Sequence, residues 1–116
     1  MKVSSIVGVL VFGLGSGVAA ATPQDAAAIA KGQQVYAANK CMMCHSIEGK
    51  GNKKGALDEI GSKLTADEIR QWLVDAEAMT AKAKATRKPA MKSYPKLPKD
   101  DLDALVTYLH SLKKKS

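Results

Sequence analysis

Two cysteines and a histidine stand together in the run Cys41-Met42-Met43-Cys44-His45. On a helical turn, residues three and four apart share a face, so this run can offer two thiols and one imidazole to a single flat ligand. C-x-x-C-H is the spacing that attaches a c-type haem. Cys41 and Cys44 would join the two vinyl groups as thioethers, and His45 would ligate the iron from one side. The chemistry would then be that of one covalent haem c, tuned by the polypeptide around it.

Other uses of a C-x-x-C pair fit less well. A thioredoxin-like redox pair wants a neighbouring βαβ pattern, and no strand-like run precedes Cys41. A structural zinc ion wants four ligands, whereas the chain has two Cys and, besides His45, only His110. A disulfide across two intervening residues closes so short a loop that it would remove little unfolded-state entropy.

His45 would leave the opposite face of the iron open, and its ligand must come from a distant segment. A thioether sulfur suits electron transfer because it is soft and raises the reduction potential. Met42 and Met43 lie between the thioether cysteines, where the geometry is wrong. Met79 falls near the end of an amphipathic helix whose apolar face already has a packing role. Met91 lies 46 residues after His45, in a loop that Pro89 restricts, just before the last helix. Met91 is therefore preferred over Met79 as the second axial ligand.

The elements that position these residues read as all-α. A first helix is predicted from Ala26 to about Asn39, with Gly32 placed where a missing side chain lets another helix approach. The glycines of the segment 48–63 argue against regular structure there. Thr65-Ala66-Asp67-Glu68 forms a capping box for a helix that carries Ile69, Trp72, Leu73 and Ala76 to about Ala78. The segment 79–98 reads as irregular and basic, with three prolines. A last helix begins near Pro98, with Leu102, Leu105, Val106, Leu109 and Leu112 on one stripe and His110 off it.

The chain has 116 residues, enough for one domain. Met1-Lys2, the apolar run Ile6–Leu14 and the small residues Val18-Ala19-Ala20-Ala21 predict an export signal over residues 1–21, cleaved after 20 or 21, and a folded domain over 22–116. The place of action is then outside the cytoplasmic membrane, in a bacterial periplasm. Trp72, Tyr36, Tyr94 and Tyr108 are the aromatics left after such cleavage, so a buried porphyrin would add apolar area that the sequence lacks. The formal charge is +7, and loss of Lys2 leaves +6. A basic surface suits nucleic acid, anionic lipid or an acidic protein. Export, and the absence of a recognition motif, argue against nucleic acid.

Taken together, these pieces resemble a small monohaem class I cytochrome c from about Ala28 to Leu112. Gly32-Gln33-Gln34-Val35-Tyr36 is similar to the glycine-and-aromatic signature of that family's first helix. Met91 occupies the place of its axial methionine, and Leu102–Leu112 with Tyr108 resembles its closing helix. The resemblance implies helices wrapped orthogonally round one haem, the first and last crossing at Gly32. It also implies one-electron shuttling between redox partner proteins, without a small-molecule substrate. Two positions depart from the pattern. Gly55-Ala56-Leu57 stands where many relatives place a proline whose carbonyl holds the histidine ligand, and a carbonyl near Gly55 is expected to serve instead. Lys92 replaces the proline that often follows the methionine.

Further expectations concern the surroundings. Trp72 either donates its ring N–H to a haem propionate or simply packs. Lys82, Lys84, Arg87, Lys88, Lys92 and Lys96 would ring the haem edge and dock acidic partners. Lys88 or Lys92 would displace Met91 at alkaline pH. A monomer is expected. The competing functions are a haem protein with a labile sixth ligand (a peroxidase or gas sensor), a thiol–disulfide oxidoreductase, and a membrane-tethered subunit of a larger oxidase or reductase.

Overall fold

The computed structural model describes residue 13 and residues 23–115. Apart from Gly13, the predicted export signal lies outside the described residues. The described chain is built on helices: α1 Pro23–Ala38, α2 Ile60–Lys63, α3 Ala66–Val74, α4 Ala76–Ala83 and α5 Lys99–His110. Short 3-10 turns occupy Cys41–Met43 and Lys53–Gly55. Among the described residues no helix is long and apolar enough to cross a membrane.

The core forms where α1 lies against α5. Val35 and Tyr36 from α1 pack with Leu105, Val106, Tyr108 and Leu109 from α5, and α3 adds Ile69 and Leu73. Gly32 is the point of closest approach: a Cβ there would collide with the Ala104 carbonyl oxygen and with Cβ of Tyr108. Four residues on, Tyr36 meets Tyr108 edge-to-face, with ring centroids 6.1 Å apart at 83°. That geometry sets the positive edge of one ring against the negative face of the other. The close approach read from Gly32 is therefore present.

Two predictions need correction. The glycine-rich segment after the motif is not wholly irregular. β1 (Ser46–Ile47) and β2 (Lys50–Gly51) pair antiparallel, Ser46 with Gly51 and Ile47 with Lys50. Glu48 (φ 54°) and Gly49 (φ 76°), the two residues between the strands, supply the positive angles that so tight a reversal needs. Gly49, taken as a loop signal, thus helps to close the ribbon.

The second correction concerns the helix begun by the capping box. The box itself forms: Thr65 Oγ1 accepts from the Glu68 N–H and Glu68 Oε1 from the Thr65 N–H, both at 3.1 Å. The helix stops at Val74, however, and α4 starts afresh. Asp75 leaves helical geometry (φ −145°, ψ 65°), and its Oδ1 accepts from the Ala78 N–H at 3.2 Å. Aspartate suits an N-cap better than a helix interior, because its short carboxylate competes for backbone donors. Part of the segment predicted as irregular is thus helical, as far as Ala83.

Candidate haem site

Local geometry assembles the motif. Lys40 adopts a left-handed conformation (φ 55°) directly after α1 and turns the chain into the C-x-x-C-H run. The Cys41 carbonyl then accepts from the Cys44 N–H at 3.1 Å and from the His45 N–H at 2.9 Å. One carbonyl therefore winds Cys41, Cys44 and His45 onto a single turn. Both thiols are free, Cys44 exposed and Cys41 half-buried. Burial pushes the Cys41 thiol up to about 11. A raised value is the opposite of what an attacking thiol needs.

The segment after the motif curls back beneath it. Asn52 N–H bridges the carbonyls of Met42 (3.1 Å) and His45 (3.0 Å), and Leu57 N–H reaches Ser46 O at 2.8 Å. This return places the Gly55 carbonyl 2.9 Å from His45 Nδ1. A carbonyl can only accept, so the ring proton resides on Nδ1 and the lone pair on Nε2. Burial lowers the tendency of His45 to gain a second proton; the Gly55 bond opposes that effect, and the nearby Arg87 charge adds to it. The carbonyl expected near Gly55 is present; it fixes the ring proton on Nδ1, while burial disfavours a second proton on Nε2.

The four methionines among the described residues differ in their settings. Met43 is 69 % exposed on the motif turn, and Met42 beside it is half-buried. Met79 is buried in α4. Met91 is half-buried and packs against the core cluster from the segment between α4 and α5. Two bonds dock that segment onto the break between α3 and α4. Ser93 Oγ accepts from the Ala76 N–H at 2.8 Å, and the Tyr94 N–H donates to Leu73 O at 2.6 Å. The loop is therefore anchored although Lys92 replaces a proline. Burial, then the Cys41 and Cys44 sulfurs, hold the Tyr94 hydroxyl above its ordinary range. The Met91-bearing loop thus runs within electrostatic reach of both thiols.

Trp72 is half-buried on α3. Lys82, Lys84, Arg87, Lys88, Lys92 and Lys96 are all exposed. His110, read as a surface residue, is half-buried with Nε2 3.1 Å from Lys113 Nζ. Sequence reasoning missed three residues. Asn52 pins the motif turn, Ser93 anchors the Met91 loop, and Arg87 donates to the Cys44 carbonyl at 2.6 Å. Arg87 carried a signal, but as one more charge of a docking surface. The partners of Asn52 and Ser93 lie in other segments, and nothing in spacing marks them.

Among the described residues no group of three or more His, Cys, Asp or Glu could hold a metal ion, so a zinc site has no support there. The residues fit a covalent haem instead: two free thiols and a single imidazole lone pair issue from one turn. Such a turn defines a protein that keeps its porphyrin by thioether bonds. The chain belongs to the cytochrome c family, whose model, described as Cytochrome c, matches residues 29–113. Membership of that family implies covalently bound haem c. The chain is 37 % identical over 95 residues to the Cbb3-type cytochrome c oxidase subunit FixP of Azorhizobium caulinodans, covering 79 % of this chain and 30 % of that protein. It is 27 % identical over 92 residues to cytochrome c oxidase subunit 2 of Alkalihalophilus pseudofirmus, covering 72 % of this chain and 25 % of that protein. The chain therefore spans a third or less of these relatives. No solved structure matches.

Proposed function

We propose that the protein is a periplasmic one-electron carrier whose haem iron is held by His45 Nε2 and Met91 Sδ. The carrying observation is the His45 Nδ1–Gly55 O bond, which keeps the ring proton on Nδ1 and leaves the lone pair on Nε2. Bound haem supplies a one-electron couple between ferric and ferrous iron. Cys41 and Cys44 hold the ring covalently, so it is not lost on dilution. Gly55 fixes the imidazole plane, and the Ser93 and Tyr94 anchors fix the approach of Met91. A ligand set held fixed in both oxidation states keeps reorganisation small. Trp72, half-buried on α3, would either donate its indole N–H to a propionate or pack against the ring. The exposed cations between Lys82 and Lys96 dock an acidic redox partner. Likeness to two oxidase subunits supports a respiratory protein as that partner.

A mass spectrum of the exported protein tests attachment and export together. The expected result is one haem added to a chain lacking residues 1–20 or 1–21. Methionine ligation is read from the near-infrared sulfur-to-iron band of the oxidised protein. Met91→Ala is expected to abolish it and Met79→Leu to leave it intact; the reverse pattern would assign the ligand to Met79. Fast, complete carbon monoxide binding to the reduced wild type would instead indicate an open sixth position and a gas-binding or peroxidatic role.

A further inference from the structure

The cations of the 82–96 segment do not all face outward alike. Arg87 reaches back 43 positions to donate from Nη2 to the Cys44 carbonyl. It arrives beside the ring nitrogen that Gly55 holds. A Cβ built on Gly55 would meet Arg87 Nη1, the Cys44 carbonyl oxygen and, at 2.9 Å, His45 Nδ1. The guanidinium and two groups of the motif turn therefore share a space that any side chain at position 55 would fill. The guanidinium keeps its charge at every working pH and offers donors in a fixed fork.

We propose that Arg87 is a positioning residue for His45 that raises the reduction potential of the bound haem, and that the glycine at position 55 is what admits it. The inference rests on the reading of His45 as the iron ligand. Two effects oppose each other at Nδ1. The Gly55 carbonyl draws on the ring proton, which increases electron donation from Nε2 and favours the oxidised iron. The Arg87 charge disfavours build-up of positive charge nearby and so favours the reduced iron. Arg87 also pins the Cys44 carbonyl, which limits rocking of the turn that carries Cys44 and His45. The site thus has a lever that depends on a residue far from the motif.

The test is redox titration of the intact haem protein as wild type, Arg87→Gln, Arg87→Lys, Gly55→Ala and the double variant Gly55→Ala/Arg87→Gln. At a fixed ambient potential, Arg87→Gln is expected to lower the reduced-to-oxidised ratio by about twofold to tenfold, the range for one part-screened unit charge. Arg87→Lys keeps the charge and is expected to retain most of the wild-type ratio at low salt. Gly55→Ala expels the guanidinium and also presses on the Cys44 carbonyl oxygen and His45 Nδ1, so it is expected to shift the ratio at least as far as Arg87→Gln, with little further change when Arg87→Gln is added to it. An unchanged ratio in Arg87→Gln would overturn the proposal, as would shifts from Gly55→Ala and Arg87→Gln that add in full. Wild type lacking covalent haem or its sulfur-to-iron band would sink the ligand reading itself. An intact wild-type spectrum with an unresponsive Arg87 would sink this inference alone.

Discussion

At the level of single side chains, the site depends on groups whose polar atoms are settled, and Tyr36 is the exception. Its hydroxyl is buried with no hydrogen-bond partner among the described residues. A stranded hydroxyl costs free energy, whereas removing it leaves the ring packing against Tyr108 intact. Tyr36→Phe is accordingly expected to stabilise the protein by about 1 kcal/mol in denaturant titration. Destabilisation would mean that the hydroxyl has a partner in the haem-bearing protein. Burial, with the Cys41 sulfur adding, pushes this hydroxyl up to about 12 from 10.0. The neutral form is thus favoured by folding. Its contribution is complete below pH 10 and lost as pH rises towards 12, and Tyr36→Phe should flatten that alkaline decline. Residue placement was legible where spacing carries it. Cys41, Cys44 and His45 share one turn, so three letters in five positions suffice to pick them out. Gly32 was legible because a glycine within a helix asks for a reason. Arg87 was not, because its acceptor lies 43 residues away and its charge reads equally well as solvent-facing.

Elements were legible to the extent that their ends are local. The capping box at Thr65 and Glu68 forms as written, since both donors lie within three residues of their acceptors. Thr65→Ala is expected to cost about 1 kcal/mol of stability. Glu68 is held below the ordinary carboxylate range by its bonds to Thr65. That contribution is present above the unfolded-state value and disappears as pH falls through the folded one, so wild type and Glu68→Gln should converge in acid. The break at Asp75 was not legible, because its completion is tertiary. The first N–H of α4 donates to Ser93, 17 residues downstream. That bond also joins the helix break to the Met91 loop, so one side chain serves stability and ligation together. Ser93→Ala is expected to lose about 1 kcal/mol of stability. It should also bring the alkaline loss of the sulfur-to-iron band to a lower pH. Equal stability with an unmoved band would show that the loop is held by other contacts.

Over the whole molecule, charge is segregated by segment. From Lys82 to Lys96 the chain carries six cations and no acidic residue. Acidic groups collect at the start of α5, where Asp103 lies 2.8 Å from Arg70 and 2.7 Å from Lys99, and Asp101 lies 3.5 Å from Lys31. These exposed pairs contribute little to stability, because solvent and salt screen them. They do cancel charge locally and leave the 82–96 segment, with its six cations, as a large unbalanced field. That segment also carries Met91, so the surface that attracts an acidic protein lies beside the proposed ligand. Attraction of this kind acts on encounter more than on the bound complex, and it fades beyond a Debye length of about 8 Å at physiological salt. Electron transfer to an acidic redox protein should therefore slow steeply as ionic strength rises, with the second-order rate converging at high salt for all charge variants. Lys88→Gln and Lys92→Gln should each slow the low-salt rate severalfold, while Lys31→Gln, whose partner Asp101 already offsets it, should change it little. Stopped-flow rates over a range of salt measure all of this at once. A flat salt response, or equal sensitivity at Lys31 and Lys88, would show that docking does not follow this field.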